Sequence, residues 1–126
     1  MDIPEHFEMA EGYACYRPVG QVSLQEAIDL ISRAIAFSRD HQIRRLLVNA
    51  TGLTGFEPPG TWERFWLATQ FAEAARSAVK VALVTRAEMI DPQRFGVTVA
   101  RNRGLLADVF TSEGEAWAWL LDPGIH

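Results

Sequence analysis

Residues 23–49 read SLQEAIDLISRAIAFSRDHQIRRLLVN, and this stretch decides the fold class. Ser23 and Glu26 have the spacing of a capping box, in which each side chain accepts a hydrogen bond from the other residue's backbone N–H. Apolar residues then recur at helical spacing over residues 24–40, with polar residues on the opposite face. The apolar run inside 43–49 is typical of a strand that is covered on both faces. The stretch therefore predicts a capped helix that leads directly into a buried strand.

Further strands and helices alternate on both sides of this unit. The pattern predicts strands at 6–9 and 13–17, the helix at 24–40, a strand at 43–49, a helix at 61–77, a strand at 79–85, a helix from Asp91-Pro92 to Gly104, a strand at 107–110 and a last helix through Leu121. The first two strands are expected to form a hairpin across Glu11-Gly12. Because strands separated by helices of this length form parallel sheets, the order β-β-α-β-α-β-α-β-α predicts an α/β fold. We expect a mainly parallel mixed sheet of four to five strands with about four helices.

Composition limits the classes of protein that the chain can belong to. With 126 residues, 48% of them apolar, it is expected to form one domain over residues 1–126. Its single cysteine excludes a disulfide framework and a zinc site built from cysteines. Without a long apolar run or a signal peptide, the sequence predicts no membrane insertion and a cytoplasmic location. A net charge of −4 argues against a nucleic-acid partner.

Four segments carry a resemblance to a known family. They are YRPVGQVSLQEA at 16–27, RLLVN at 45–49, VALV at 81–84 and VFTSEGEAWAWL at 109–120. In this order they resemble the STAS (anti-sigma-factor-antagonist) family, and within it the SpoIIAA-like proteins, over residues 13–121. The resemblance implies a mixed sheet of four or five strands with helices wound along it. It also implies a binding or regulatory role rather than catalysis.

The chain departs from that family where a loop enters the second predicted helix. STAS antagonists that switch partners carry an Asp-Ser-Ser-Gly-like motif there, in which a kinase phosphorylates a serine. Here residues 55–62 read GFEPPGTW and contain no serine. Thr61 lies about where a phosphoacceptor would be, and Glu57 adds a like charge nearby. We therefore expect the phospho-switch to be absent and Thr61 to cap the helix that follows.

Two tryptophans on this helix do not fit its amphipathic pattern. Trp62 and Trp66 lie one turn apart among polar residues, whereas Phe65 extends the apolar side. They either form a partner surface, since tryptophan is enriched where interfaces concentrate binding energy, or are covered by the 50–60 loop. A third interpretation is that they line a pocket for a small apolar ligand together with Phe56. Phe56, Thr61, Trp62 and Trp66 are thus the candidate partner or ligand surface.

Two further features suggest contacts with anions. The glycine-containing loop at 49–55 leaves the carboxyl end of a predicted parallel strand, where ligands of open α/β sheets bind. It lacks the residues of a Walker loop and the dinucleotide glycine spacing, so its glycines can equally serve backbone turns. Arginines are also dense at 86–103, and Arg94 and Arg101 share one side if this region is helical. These two residues are candidate contacts for a phosphate or carboxylate, or else part of a solvated face.

The sequence contains no recognisable catalytic constellation. The three histidines lie far apart, no Gly-x-Ser-x-Gly elbow is present, and Cys15 falls inside a predicted strand. We therefore expect no enzymatic activity, no cofactor and no metal site. The sequence favours a regulatory or protein-interaction domain that associates with a second copy as a homodimer. The alternative is a binding protein for a small apolar or amphipathic, lipid-like ligand, an idea supported by the grouping of some relatives of this fold with lipid-binding CRAL-TRIO domains.

Overall fold

The computed structural model describes residues 3–123. Within this range the chain has an α/β fold with seven β-strands and four α-helices. In chain order these are β1 (Phe7–Ala10), β2 (Tyr13–Tyr16), β3 (Gly20–Gln21), α1 (Leu24–Asp40), β4 (Arg45–Asn49), β5 (Leu53–Thr54), α2 (Thr61–Ala75), β6 (Lys80–Val84), α3 (Phe95–Asn102), β7 (Ala107–Phe110) and α4 (Glu113–Leu120). A short 3₁₀ turn at Ala87–Met89 lies between β6 and α3.

Five of the strands form one mixed sheet in the order β1-β2-β4-β6-β7. The β1–β2 pair is antiparallel and the other three pairs are parallel, which confirms the mostly parallel sheet and the amino-terminal hairpin. Gly12 turns the hairpin with a φ of +83°, a conformation that glycine adopts without steric cost. The remaining strands, β3 and β5, form a separate parallel pair of two residues each that the sequence pattern did not predict.

The predicted capping box is present at the start of α1. Ser23 Oγ accepts a hydrogen bond of 3.1 Å from the Glu26 N–H, and Glu26 Oε1 accepts one of 2.9 Å from the Ser23 N–H. The apolar face of the helix is buried against the sheet, as its periodicity predicts. Local sequence therefore determines both where α1 begins and which face it buries.

The helices are divided unequally between the two faces of the sheet. Side chains of α1, α2 and α3 share one apolar core with Leu46 and Val48 of β4. On the other face, Ala116 and Leu120 of α4 form a smaller core with Leu47 of β4. On the three-helix face, α1 packs on β4 and α3 packs on β7, whereas α2 packs mainly on these two helices. As a result, α2 spans the gap between α1 and α3 above the sheet.

Helix α2 differs from its prediction at both ends. The N-cap residue is Gly60 rather than Thr61, so the expectation that Thr61 caps the helix is wrong. The Glu63 carboxylate accepts a 2.8 Å hydrogen bond from the Gly60 N–H and takes over the function of a cap. The helix ends at Ala75 instead of residue 77, because Arg76 and Ser77 both have positive φ angles.

Helix α3 begins later than the Asp91-Pro92 signal predicts. Its first helical residue is Phe95, whose N–H donates a 2.8 Å hydrogen bond to Asp91 Oδ2. Asp91 thus binds a free N–H at the helix start although it lies four residues upstream. The predicted end is close to the observed one, since the helix stops at Asn102 and Gly104 follows with a φ of +87°.

Candidate functional site

A cavity of about 140 Å³ lies between α2 and the sheet. Most of its lining is aliphatic or aromatic. The apolar lining residues include Leu24, Ile28 and Ile31 of α1, Leu67, Ala68 and Phe71 of α2, Val81 and Leu83 of β6, Val97 and Ala100 of α3, and Ala107 and Val109 of β7. The cavity therefore touches all three helices on this face of the sheet.

The position of the cavity follows from the way in which the helices are spaced. Because α1 lies on β4 and α3 lies on β7, the strand between them, β6, faces the cavity through Val81 and Leu83. Leu83 of β6 is consequently only partly buried although it belongs to the interior of a five-stranded sheet. Its register partner Val48 in β4 is fully buried. The side of β6 that carries Val81 and Leu83 forms the floor of the cavity.

One end of the cavity, which we call its opening, lies near the carboxyl ends of the parallel strands. Ala50 follows β4 and Thr85 follows β6, and both line the cavity. Partly exposed lining residues come from the loop before α2, at Phe56 and Pro59, and from the 85–94 segment after β6. This is the edge of an open α/β sheet at which ligands generally bind.

Hydrogen bonds attach the segment after β6 to the neighbouring elements. Arg64 of α2 donates from Nη1 to the Met89 carbonyl oxygen at 3.0 Å. Arg86 extends across the edge of the sheet, with Nη1 3.5 Å from the carbonyl oxygens of both Thr51 and Leu53. Arg64 and Arg86 thus connect the borders of the opening to each other, and both line the cavity.

The two arginines predicted to contact an anion are brought together, but on a carboxylate of the chain itself. Arg94 Nη1 donates to Asp108 Oδ1, and Arg101 Nη2 lies 3.7 Å from Asp108 Oδ2. Arg101 Nε also donates to the Ala107 carbonyl oxygen at 3.2 Å. Asp108 therefore offsets the positive charge that Arg94 and Arg101 would otherwise present to an external anion.

The four residues predicted to form one partner or ligand surface separate into two groups. Phe56 lines the cavity, whereas Trp62 and Trp66 are not among its lining residues. The 50–60 loop leaves Trp62 83% exposed and Trp66 48% exposed. Thr61 is exposed as the first residue of α2. The interpretation in which the tryptophans line a pocket beside Phe56 does not fit this arrangement.

Phe65, which the helical pattern places on the apolar side of α2, is instead 36% exposed. Its ring centroid lies 6.4 Å from that of Trp62 in an edge-to-face arrangement. Trp62, Phe65 and Trp66 together form an exposed group that we call the aromatic patch.

The glycines of the 49–55 loop are explained by close packing of the backbone. A Cβ at Gly52 would lie 2.7 Å from Val19 Cγ1, and one at Gly55 would lie 2.6 Å from the Val22 carbonyl oxygen. Gly55 also has a φ of +103°. Of the two interpretations of this loop, the one based on backbone turns accounts for both glycines.

A polar cluster occupies the carboxyl ends of β2 and β4 beside α4. Glu113 accepts hydrogen bonds from Arg17 and from Asn49, whose Nδ2 lies 2.7 Å from Glu113 Oε2. The pKa of Glu113 is lowered to about 2, mainly by the hydrogen bonds from Arg17. An ionised carboxylate so fully bonded is suited to joining elements rather than to transferring protons.

Metal sites, membrane-spanning helices and related proteins are the other features that bear on function. Within residues 3–123, no three His, Cys, Asp or Glu side chains are grouped so that they could hold a metal ion. No helix in the same range has both the length and the apolar character needed to cross a membrane. The sequence matches no protein-family model and no curated protein.

Sequence reasoning did not identify the floor or the border of the cavity. Leu83 lies in an apolar strand, and the same apolar run is expected whether a helix or a cavity lies over its face. Arg86 carried a usable signal, because it is the second residue after β6 and so lies at the ligand-binding edge of the sheet. Arg64 carried none, since its contact with Met89 depends on how α2 is placed.

Proposed function

We propose that this chain is a non-enzymatic binding protein for a small apolar or amphipathic ligand. The observation that carries the proposal is the apolar cavity between α2 and β6, an interior strand of the sheet. Protein interiors are normally packed with few voids larger than a water molecule. A cavity with an apolar lining and a few polar groups at one end is typical of small-molecule sites.

The size of the cavity limits what it can enclose. Its volume of about 140 Å³ is close to that of an engineered apolar cavity of roughly 150 Å³ that binds benzene. It is smaller than the roughly 300–1,000 Å³ of sites for drug-sized ligands. The enclosed part of the ligand is therefore a single ring or a short alkyl chain. A longer molecule would extend through the opening between Phe56 and the segment after β6.

Filling the cavity tests this proposal. Val97→Phe in α3 adds an aromatic ring at the cavity wall, and Leu83→Phe adds one at the floor. Thr98→Phe is the matched control, because Thr98 is the next residue of α3 but is exposed. Isothermal titration calorimetry with 1-octanol should show binding to the natural chain and to Thr98→Phe, and at least roughly tenfold weaker binding to the filled variants. Equal affinity for all four proteins would contradict the proposal.

The aromatic patch supports a second function, a STAS-like interaction domain that associates with its own second copy. Trp62 is 83% exposed, and Phe65 and Trp66 extend the apolar surface beside it. Large exposed aromatic side chains are enriched at the centres of protein interfaces. The resemblance to the SpoIIAA-like proteins implies the same kind of role. This function needs no phosphorylation of Thr61.

Sedimentation velocity tests this second function. Trp62→Ala combined with Trp66→Ala should weaken self-association while leaving thermal unfolding nearly unchanged, because both side chains are exposed. Val19→Ala removes an exposed apolar side chain elsewhere and should leave the association state unchanged. If the natural chain sediments as a monomer over the whole accessible concentration range, self-association is rejected.

A further inference from the structure

We infer that the ligand carries a single carboxylate, which binds Arg86 at the opening while the apolar body of the ligand fills the cavity. This inference rests on the proposed small-molecule function and specifies the chemical class of the ligand. It depends on an inventory of the charged groups that line the cavity. They are three arginines and two aspartates, namely Arg64, Arg86, Arg94, Asp91 and Asp108.

Both aspartates are already bonded within the chain. Asp108 faces Arg94 and Arg101, and its Oδ1 also accepts a 2.8 Å hydrogen bond from the Val109 N–H. Asp91 accepts from the Phe95 N–H at the start of α3. Neither carboxylate contacts Arg64 or Arg86 as an ion pair in the part of the chain that the structure describes.

The positive charge of Arg64 and Arg86 is therefore only weakly compensated. Arg64 pairs with no carboxylate among residues 3–123, and its one hydrogen bond is to the Met89 carbonyl oxygen. Within the part of the chain that the structure describes, Arg86 pairs only with Glu88, whose carboxylate is 62% exposed and lies 3.2 Å from Arg86 Nε. Among the described residues the buried Arg86 Nε has no hydrogen-bond partner. Its contact with Glu88 is therefore an ion pair without hydrogen-bond geometry.

The other contacts of Arg86 are long. Its Nη1 lies 3.5 Å from two carbonyl oxygens, whereas N–H···O hydrogen bonds are typically about 2.7–3.2 Å. A guanidinium has five N–H donors in a planar fork that matches the two oxygen atoms of a carboxylate. Arg86 therefore has donor capacity that the chain leaves poorly used, at the polar end of an apolar cavity.

The surrounding acidic groups favour a monoanion over a phosphate. Glu88 lies 3.2 Å from Arg86 Nε and Asp91 lines the cavity, and each adds repulsion that is about twice as large for a dianion as for a monoanion. A carboxylate carries one charge and needs one fork. The ligand class is thus a carboxylic acid with a short alkyl or aromatic body, ionised at neutral pH.

Calorimetric titration with octanoate and 1-octanol separates the contribution of charge from that of the apolar body. Arg86→Gln should weaken octanoate binding by roughly tenfold to a hundredfold, the range for a hydrogen bond to a charged group. The same variant should leave 1-octanol binding within about twofold. Glu88→Gln removes the competing carboxylate and should strengthen octanoate binding only. Arg86→Lys keeps the charge without the fork and should give an intermediate octanoate affinity.

Each outcome of this experiment decides between the proposals. If Arg86→Gln weakens octanoate and 1-octanol equally, or weakens neither, the assignment of a carboxylate to Arg86 is overturned and the small-molecule function stands. If the natural chain binds neither probe, both proposals fail. Tighter binding of octyl phosphate than of octanoate would also overturn the carboxylate class. Should Arg86→Gln fail to fold, Arg86→Lys and Glu88→Gln still give opposite expected shifts for octanoate.

Discussion

Arg17 donates two hydrogen bonds of 2.8 Å to the carboxylate of Glu113, which joins the residue after β2 to the first residue of α4 across 96 positions of sequence. Asn49, the last residue of β4, donates a third hydrogen bond to the same carboxylate at 2.7 Å. Helix α4 is therefore fixed at its amino-terminal end to two neighbouring strands. Its apolar residues are thereby held over Leu47 on the second face of the sheet.

Replacing Glu113 by Gln should lower the free energy of unfolding by about 1–2 kcal/mol, because three hydrogen bonds lose their anionic acceptor. Urea unfolding at pH 7, followed by circular dichroism, measures the change. Glu8→Gln is the matched control, since Glu8 lies 3.6 Å from the same arginine but its side chain is 80% exposed. Its effect should stay within about 0.5 kcal/mol, as for most surface ion pairs. Equal effects of the two substitutions would contradict the role assigned to Glu113.

The same carboxylate should make stability depend on pH in the acid range. In the folded protein the pKa of Glu113 is lowered from its ordinary 4.5 to about 2, mainly by the hydrogen bonds from Arg17. The folded state then binds the proton less readily than the unfolded state. The contribution of Glu113 is thus complete above pH 4.5 and is lost as the pH falls from 4.5 towards 2.

Urea unfolding at a series of pH values tests this dependence. The difference in unfolding free energy between the natural chain and Glu113→Gln should be largest near pH 6 and should shrink steadily below pH 4.5. A difference that is constant down to pH 2.5 would show that Glu113 titrates normally in the folded protein.

The sequence predicted the elements whose signals are local. Ser23 and Glu26 specify the start of α1 by themselves. The alternation of strands and helices specifies a mostly parallel sheet, because each helix is long enough to connect two parallel strands. The errors occur where a neighbouring side chain competes for the same role or where an element is too short to leave a pattern. Thr61 has the chemistry of an N-cap, but the Glu63 carboxylate binds the free N–H at Gly60. The β3–β5 pair consists of only four residues and leaves no periodic pattern.

The candidate site was predictable only in part. Of the residues predicted to form one surface, Phe56 lines the cavity, whereas Trp62 and Trp66 do not. Arg94 and Arg101 both contact Asp108, and no pattern in the sequence indicates that Asp108 faces them. The cavity itself results from the spacing of α1 and α3 on the sheet. That spacing is a property of tertiary packing and has no counterpart in local sequence.

Cys15 should react slowly with thiol reagents in the folded protein. It is 6% exposed in the core beneath α4, and burial raises the pKa of its thiol to about 11. Only about one thiol in a thousand is then ionised at pH 8, and the thiolate is the reactive form. Because Cys15 is the only cysteine of the chain, its reaction with 5,5′-dithiobis(2-nitrobenzoate) can be followed in bulk absorbance. Reaction should become rapid in 8 M urea, and rapid stoichiometric reaction in native buffer would contradict the packing of α4 over Cys15.

Two glycine substitutions should have opposite effects on stability. Gly55 has a φ of +103°, and an added Cβ would lie 2.6 Å from the Val22 carbonyl oxygen, so Gly55→Ala introduces both backbone strain and a steric clash. We expect it to lower the free energy of unfolding by about 1–3 kcal/mol. Gly114 lies in the first turn of α4, and nothing stands within 4 Å of the position of a Cβ. Gly114→Ala should therefore raise the free energy of unfolding, by up to about 1 kcal/mol, because alanine is the better helix former.

Urea unfolding of both variants at pH 7 measures the two effects under one condition. The opposite signs matter more than the sizes, since each substitution adds the same methyl group. If Gly55→Ala proves neutral, the 49–55 loop must be able to move away from the Val19–Val22 segment. The close approach of the two segments would then not explain why glycine occupies position 55.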